Sequence, residues 1–348
     1  MKLNKLLKSS ILLFLIVSGV IWYSYFYRVA SQGVAIQDVV NHDDFSKNVI
    51  MHDIPEGMSG QRGIGFVRSE DINIPPFNRP QTEEFILAIG ESFSPYLIIV
   101  NNTETPMPVL VSAILNYTQV EFALDSKLGL LHSLVIPAKT EINLPLDVSI
   151  HGTGFHDFFI VAFSEPGYHP TSKNERYATG RLSAFGKRTV IKIGDNTGLA
   201  RDISVDFIGS PIIPHPGAAI VDLAFVNTAK NDSSHPAYHQ FSIANVSKGE
   251  PFKFQVLVEN TEIERSVPIA VMLFLDFHQV PILEKDVIVT LLDIGQEVVV
   301  NASVDLPAEE GIHEMQIIYI FDPYKSILHD EVAYPFVFDS LRVGLIAR

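Results

Sequence analysis

The sequence predicts an all-β chain, two tandem β-sandwich domains that follow an N-terminal transmembrane helix. Three observations carry this. The run Gly154-Phe155-His156-Asp157-Phe158-Phe159-Ile160-Val161-Ala162-Phe163-Ser164-Glu165-Pro166 returns as Gly311-Ile312-His313-Glu314-Met315-Gln316-Ile317-Ile318-Tyr319-Ile320-Phe321-Asp322-Pro323, so one half of the chain repeats the other. From Ile64 onward apolar residues alternate with period two, and clusters of Pro, Gly and Asn interrupt them. One long uncharged apolar run, Ser9 to Tyr27, stands near the start.

Composition bounds the rest. With 348 residues, 47% hydrophobic and 19% charged, the chain is long enough for two ordinary domains with real cores and is not a disordered one. Its 25 Lys and Arg, three of them at the N-terminal tip, stand against 40 Asp and Glu, so nucleic acid is not an expected partner. Zero cysteines exclude disulfides, thiolate metal sites and a cysteine nucleophile, and leave an exported domain to be held by its core alone.

Lys2, Lys5 and Lys8 precede the apolar run, which at ~1.5 Å per residue reaches across a ~30 Å hydrocarbon core. Positive charge ahead of the span places the N-terminus in the cytoplasm and the domains outside the cell membrane. Trp22, Tyr23, Tyr25, Phe26 and Tyr27 gather at the far end, where aromatic rings favour the bilayer interface. Residues 1–30 therefore read as a basic tip and a single-pass signal-anchor. A signal peptide cleaved after Ser31 is the alternative.

Residues 31–63 turn polar and read as a lead-in or stalk, 64–196 as the first sandwich, 197–218 as a Pro- and Gly-rich connector and 219–348 as the second sandwich. The copies run at a spacing of about 156 to 160 residues. Phe66-Val67 is answered by Phe225-Val226, Phe85-Ile86-Leu87-Ala88 by Phe241-Ser242-Ile243-Ala244, Asn102-Thr103-Glu104 by Asn260-Thr261-Glu262, and Glu141-Ile142 by Glu297-Val298. Lys187 to Ile193 reads as the closing strand of the first copy, and Tyr334 to Phe338 with Leu341 to Ile346 as those of the second. No amphipathic helix is expected after the anchor.

The run Phe254 to Thr261, followed after a polar turn by Val271-Met272-Leu273-Phe274-Leu275-Asp276, resembles the immunoglobulin-like surface modules of the CARDB type. In those modules a Gly-x-Tyr opens a later strand; here Gly154-Phe155-His156 and Gly311-Ile312-His313 put His in that place. The resemblance implies immunoglobulin-like sandwiches and a role as spacer, adhesin or assembly part. It carries over no catalytic residue.

No catalytic or cofactor motif is present. His313-Glu314 opens like a zinc-protease helix, but Ile317 stands where the second His belongs and the segment alternates as a strand. His156 and His313 read as buried strand-start residues that bond nearby backbone, with metal ligation as the lesser alternative. His235 and His239, with His215 upstream, form the densest imidazole cluster; an incidental surface loop is the main reading, zinc or copper the alternative. Sequons stand at Asn101, Asn116, Asn231, Asn245 and Asn301.

The face pattern is more informative. Placing Val109, Val111, Ala113, Leu115 and Tyr117 inward leaves Leu110, Ser112, Ile114 and Asn116 outward; placing His156, Phe158, Ile160 and Ala162 inward leaves Asp157, Phe159, Val161 and Phe163 outward. Copy two repeats this with Met272, Phe274, Ile318 and Ile320, more weakly, because Gln316 replaces Phe159. A solvated face alternates to polar, so Leu110, Ile114, Phe159, Val161, Phe163, Met272, Phe274, Ile318 and Ile320 form an expected contact face. Either the rest of the chain covers it, or a protein partner or second copy does. The functional expectation is a non-enzymatic, membrane-anchored, extracytoplasmic interaction or assembly protein. An envelope-attached hydrolase or a ligand or metal sensor is the runner-up.

Overall fold

The computed structural model of the chain describes residues 38–54, 62–74, 79, 84–178, 180–199, 204–212, 223–226, 241–261, 263–324 and 336–348. The anticipated span, Ser9 to Tyr27, lies outside them, as do His215, His235 and His239. Among the described residues no helix is long and apolar enough to cross a membrane.

Alternating β-branched and aromatic residues bury one side of a strand at a time, and in each half of the chain two such sheets face each other. In the first half the inner sheet runs, in spatial order, Val39–Asn41, Leu131–Ile136, Met107–Leu115, Gly154–Ser164, Ala184–Ile193 and Glu84–Leu87. Its outer sheet is Arg62–Val67, Tyr96–Asn101 and Thr140–Asp147, with Ile50–Asp53 joined to the last. In the second half the inner sheet is Phe207–Ile208, Ile288–Leu292, Val267–Leu275, Gly311–Phe321, Val343–Ala347 and Ile243–Val246. Its outer sheet is Ser210–Pro211, Gln296–Asp305, Pro251–Asn260 and Leu223–Val226. In both inner sheets the two end pairings are parallel and the three between them antiparallel. The sequence repeat is therefore a repeat of topology.

Each sandwich has its own core. Val109, Val111, Ala113, Phe158, Ile160 and Ala162 meet Leu97, Ile99, Ile142 and Leu144 in the first. Val267, Ile269, Val271, Leu273 and Ile317 meet Val256, Val258, Val298 and Val300 in the second. Each large aliphatic or aromatic side chain so buried contributes roughly 1.5–3 kcal/mol. A third cluster lies between the two inner sheets and stacks the sandwiches face to face. Phe336–Asp339 joins them further, pairing with Gly186 and Lys187 of the first half and with Ile318 and Tyr319 of the second.

Several expectations are corrected. The lead-in is no bare stalk, since Val39–Asn41 and Ile50–Asp53 add a strand to each sheet of the first sandwich. The connector does the same for the second through Phe207–Ile208 and Ser210–Pro211. These strands span two to four residues, too short for a period to register. A helical turn, Lys173–Ala178, occurs where none was expected. Tyr117 points away from Val109 and Val111, because Asn116 and Tyr117 both have positive φ (49° and 69°) and end the alternation in a two-residue hairpin turn. The equivalent of Asn260 is Asn101, not Asn102. Asn101 Nδ2 donates to the carbonyls of Thr105, Ile136 and Pro137, and Asn260 Nδ2 to those of Ile263, Arg265 and Leu292.

Because Phe159 lies wholly within the third cluster, Phe159→Asp is expected to lower the melting temperature of the full chain with no partner present. The loss should reach at least the ~3 kcal/mol of a core Phe truncation. A melting curve that does not move would contradict the burial of this face.

Candidate functional site

The stacked inner faces form a seam, and it gathers the residues that the alternation singled out. Leu110, Ile114, Phe159, Val161 and Phe163 meet Met272, Phe274, Ile318 and Ile320, and all nine are buried. The face is thus covered by the other half of the same chain, which leaves it closed to a second protein. Phe163 lies between the rings of Phe274 and Phe277, with centroids at 5.6 and 5.1 Å. Such pairs add about 0.5–1.5 kcal/mol beyond their area.

The hairpin turns at the seam are matched. Asn116-Tyr117 corresponds to Asp276-Phe277, whose φ values are 48° and 67°. A left-handed backbone is strained for Tyr and Phe, on the order of 1 kcal/mol or more for each residue. Here it delivers both rings to the seam and turns two carbonyls toward the opposite half. Gln119 N donates to Gln279 Oε1 (2.6 Å) and Gln279 N to Gln119 Oε1 (2.8 Å). Gln119 Nε2 then reaches Phe277 O (3.1 Å), and Gln279 Nε2 reaches Tyr117 O (2.8 Å). This reciprocity is the mark of an isologous contact, made here within one chain.

Two buried carboxylates anchor the seam, and both come from the repeated Gly-x-His-acid motif. Asp157 takes Arg188 in a two-pronged contact, Nε to Oδ1 at 2.6 Å and Nη2 to Oδ2 at 3.0 Å. It also accepts from the Tyr117 hydroxyl and, from the other sandwich, from Tyr324 N at 2.6 Å. Glu314 accepts from Arg176 Nη1 and Nη2 at 2.9 and 2.8 Å and contacts His169 Nδ1 at 3.0 Å, both residues belonging to the first half. The long links between the last two strands of each half therefore cross over, each serving the acid of the other. Arg188 Nη1 donates to Phe321 O (3.4 Å) and Arg342 Nη1 to Ser164 O (3.0 Å), again in exchange.

Two glycines leave room for these links. A Cβ on Gly186 would stand 2.8 Å from the Cβ of Val337, and one on Gly344 would stand 2.1 Å from Arg176 Nη2. The electrostatics follow from burial. Burial alone would raise the Glu314 pKa, yet the Arg176 guanidinium and the His169 ring hold it below the ordinary carboxylate range. Burial pushes Arg342 down to about 10. Burial and the Asp157 charge hold the Tyr117 hydroxyl well above its usual value. Asp339, which accepts from Ala184 N across the seam (2.8 Å) and from Gln316 Nε2 (2.7 Å), is raised by burial to about 6.

His156 and His313 occupy equivalent buried positions, each against the first residue of the neighbouring turn. His156 Nδ1 is 3.0 Å from Asn116 Nδ2, and His313 Nδ1 is 2.6 Å from Asp276 Oδ2. The shifts differ with the partner. Burial lowers His156; burial would lower His313 too, but the Asp276 carboxylate raises it. Sequence reasoning missed Arg188 and Arg342, although an Arg at a matching place near the end of each half was a readable signal.

No family model matches the chain, and no curated protein matches it in sequence. Among solved structures it is similar to red sea bream transglutaminase, at 10% identity over 84% of this chain and 32% of that one, TM-score 0.22. It is also similar to the CBD12 of CALX1.2, at 10% identity over 69% and 79%, TM-score 0.20. A third is E. coli alpha-2-macroglobulin, at 8% identity over 76% and 16%, TM-score 0.24. The chain spans about a third of the transglutaminase. At these scores the likeness adds nothing to what the sheets themselves establish, a chain of β-sandwich units.

Asp157→Asn and Arg188→Met should each cost about 3–5 kcal/mol, because each strands a buried partner. Their double variant should cost much less than the sum in chemical denaturation, and full additivity would mean the pair is not coupled. Asp339→Asn tests the seam by pH. The folded pKa lies above the unfolded one, so its favourable contribution is full below pH ~4 and lost as pH rises through about 6. Relative to the Asn variant, the native chain should therefore lose on the order of 2 kcal/mol between pH 4 and 7. Parallel stability curves would contradict a buried Asp339.

Proposed function

We propose that the chain is a membrane-anchored, extracytoplasmic structural or interaction protein whose two sandwiches act as one stiff body. The observation that carries this reading is the seam. Its apolar faces are spent on joining the halves, and the crossed links and reciprocal glutamines resist hinge motion between them. A stiff body is what a spacer or assembly component of the cell envelope requires. The anchor and its orientation rest on Lys2, Lys5, Lys8 and the span Ser9 to Tyr27. The finer likeness to CARDB-type modules, used as spacers and adhesins, agrees with this role. Contacts with another envelope protein, or with a second copy, are then made by surfaces outside the seam.

Protease added to intact cells should remove both sandwiches and leave the N-terminal segment with the membrane. A released chain beginning at Gln32 would refute the anchor, and complete protection would refute the orientation. Mild cross-linking before solubilisation should capture a stoichiometric protein neighbour. A lone monomer that hydrolyses envelope substrates would instead support the hydrolase reading.

A further inference from the structure

Residues 38–53 cross the first sandwich as a strap. Val39–Asn41 pairs with Leu131, His132 and Ser133 of the inner sheet, and Ile50–Asp53 with Thr140 to Asn143 of the outer one. As the strap leaves the inner sheet, His42 N donates to Ser133 O (3.1 Å) and the His42 ring enters the protein. There His42 Nε2 lies 2.9 Å from His132 Nδ1, with the two residues 5% and 0% exposed. The His132 ring packs on Phe122 at 4.4 Å, and its Nε2 is 3.1 Å from Phe122 O.

This geometry fixes the protons. A carbonyl only accepts, so His132 carries hydrogen on Nε2; in the neutral ring Nδ1 is then the acceptor, and His42 donates to it from Nε2. A further proton on His132 can enter only at Nδ1, where it would face the N–H of His42. An attractive contact would become donor against donor, between two buried rings. The surrounding charges are Lys127, whose Nζ donates to Asn41 O, and Asp125 and Asp43. Asp125 accepts from Ser46 N of the strap at 2.8 Å. The two aspartates favour a charged His42. Burial, the His132 ring and Lys127 outweigh them and push its pKa down to about 4; burial also lowers His132.

We propose that the His42–His132 pair is an acid-sensitive clasp that holds the strap on the first sandwich only while both rings are neutral, so that acidification frees the strap from a folded body. From the strap, the core of that sandwich draws the partly buried Phe45 and Val49 and the seam cluster draws the partly buried Val39, a small apolar anchorage that makes a local opening the low-cost response. The sign follows from the lowered values. The clasp is fully favourable above the ordinary histidine pKa and loses strength as pH falls from ~6.5 toward 4.

Hydrogen exchange on the full chain, corrected for intrinsic rates, tests this. Between pH 7.5 and 4, protection of the amides of Val39–Asn41 and Ile50–Asp53 should fall at least tenfold, while Gly154–Ser164 stays protected. His42→Phe should flatten that pH dependence to the share that the buried His132 carries. Imidazole nitrogen NMR of the unaltered chain gives a reading that needs no variant. His132 should carry hydrogen on Nε2 alone at pH 7.5, and both rings should titrate below the ordinary value. Strap protection that persists to pH 4, joint loss of strap and core, an unaltered pH response in the Phe variant, or a His132 protonated on Nδ1 at neutral pH would each overturn the proposal.

Discussion

A carboxylate taken out of water must be met by charge and hydrogen bonds, or it strands several kcal/mol. Asp157 and Glu314 are buried between the sheets, and neither acid is satisfied by its own half of the chain alone. Glu314 depends on Arg176 and His169 of the first half, and Asp157 takes an amide hydrogen bond from Tyr324 of the second. Pulling the halves apart would therefore leave Glu314 without two of its partners as well as wetting the apolar face. That coupling makes the chain one body, not two beads on a linker.

The same constraint explains the less ordinary local features. Tyr117 and Phe277 accept a left-handed backbone because the turn places each ring in the seam and each carbonyl against the opposite glutamine. Gly344 lies in a strand, where a side chain would normally be favoured, because Arg176 of the other half fills that space, and Gly186 because Ile160 O of its own half and Val337 of the other both crowd it. Arg188, inside its strand, and Arg342, just ahead of Val343–Ala347, are buried because the acids and the crossing carbonyls require donors there. Each feature is locally unfavourable and is stabilised by the partner half.

This division decides what the sequence could reveal. Strands, the repeat and the inward row of Val109, Val111, Phe158 and Ile160 were legible because alternation is a local signal. The outward apolar row was legible as a covered face, but its cover was not, since nothing in a strand records which distant segment lies over it. The His-acid repeat was visible as a pattern, whereas its meaning depends on Arg188 thirty-one positions after one acid and on Arg176 and Arg342 on either side of the other. Short strands such as Val39–Asn41 and Ser210–Pro211 left no period to detect, so the lead-in and connector looked unstructured.

The differences between the halves matter as much as their likeness. A symmetric seam would let the first sandwich of one chain pair with the first sandwich of another as readily as with its own second. Here Phe159 is answered by Gln316, which donates to Asp339 and to the carbonyls of Leu182 and Ser340. Glu314 is met by Arg176 in the space beside Gly344, whereas Asp157 is met by Tyr117 and its own Arg188. A like-with-like pairing of second sandwiches would bring two Glu314 carboxylates to the seam without Arg176 or His169. A pairing of first sandwiches would leave Arg176 and His169 without Glu314. Mispairing is thus penalised by buried charge, and correct pairing within the chain is favoured by the covalent connection between the halves. The repeat supplies the matching surfaces, and the substitutions within it select the arrangement in which Asp157 and Glu314 are both answered.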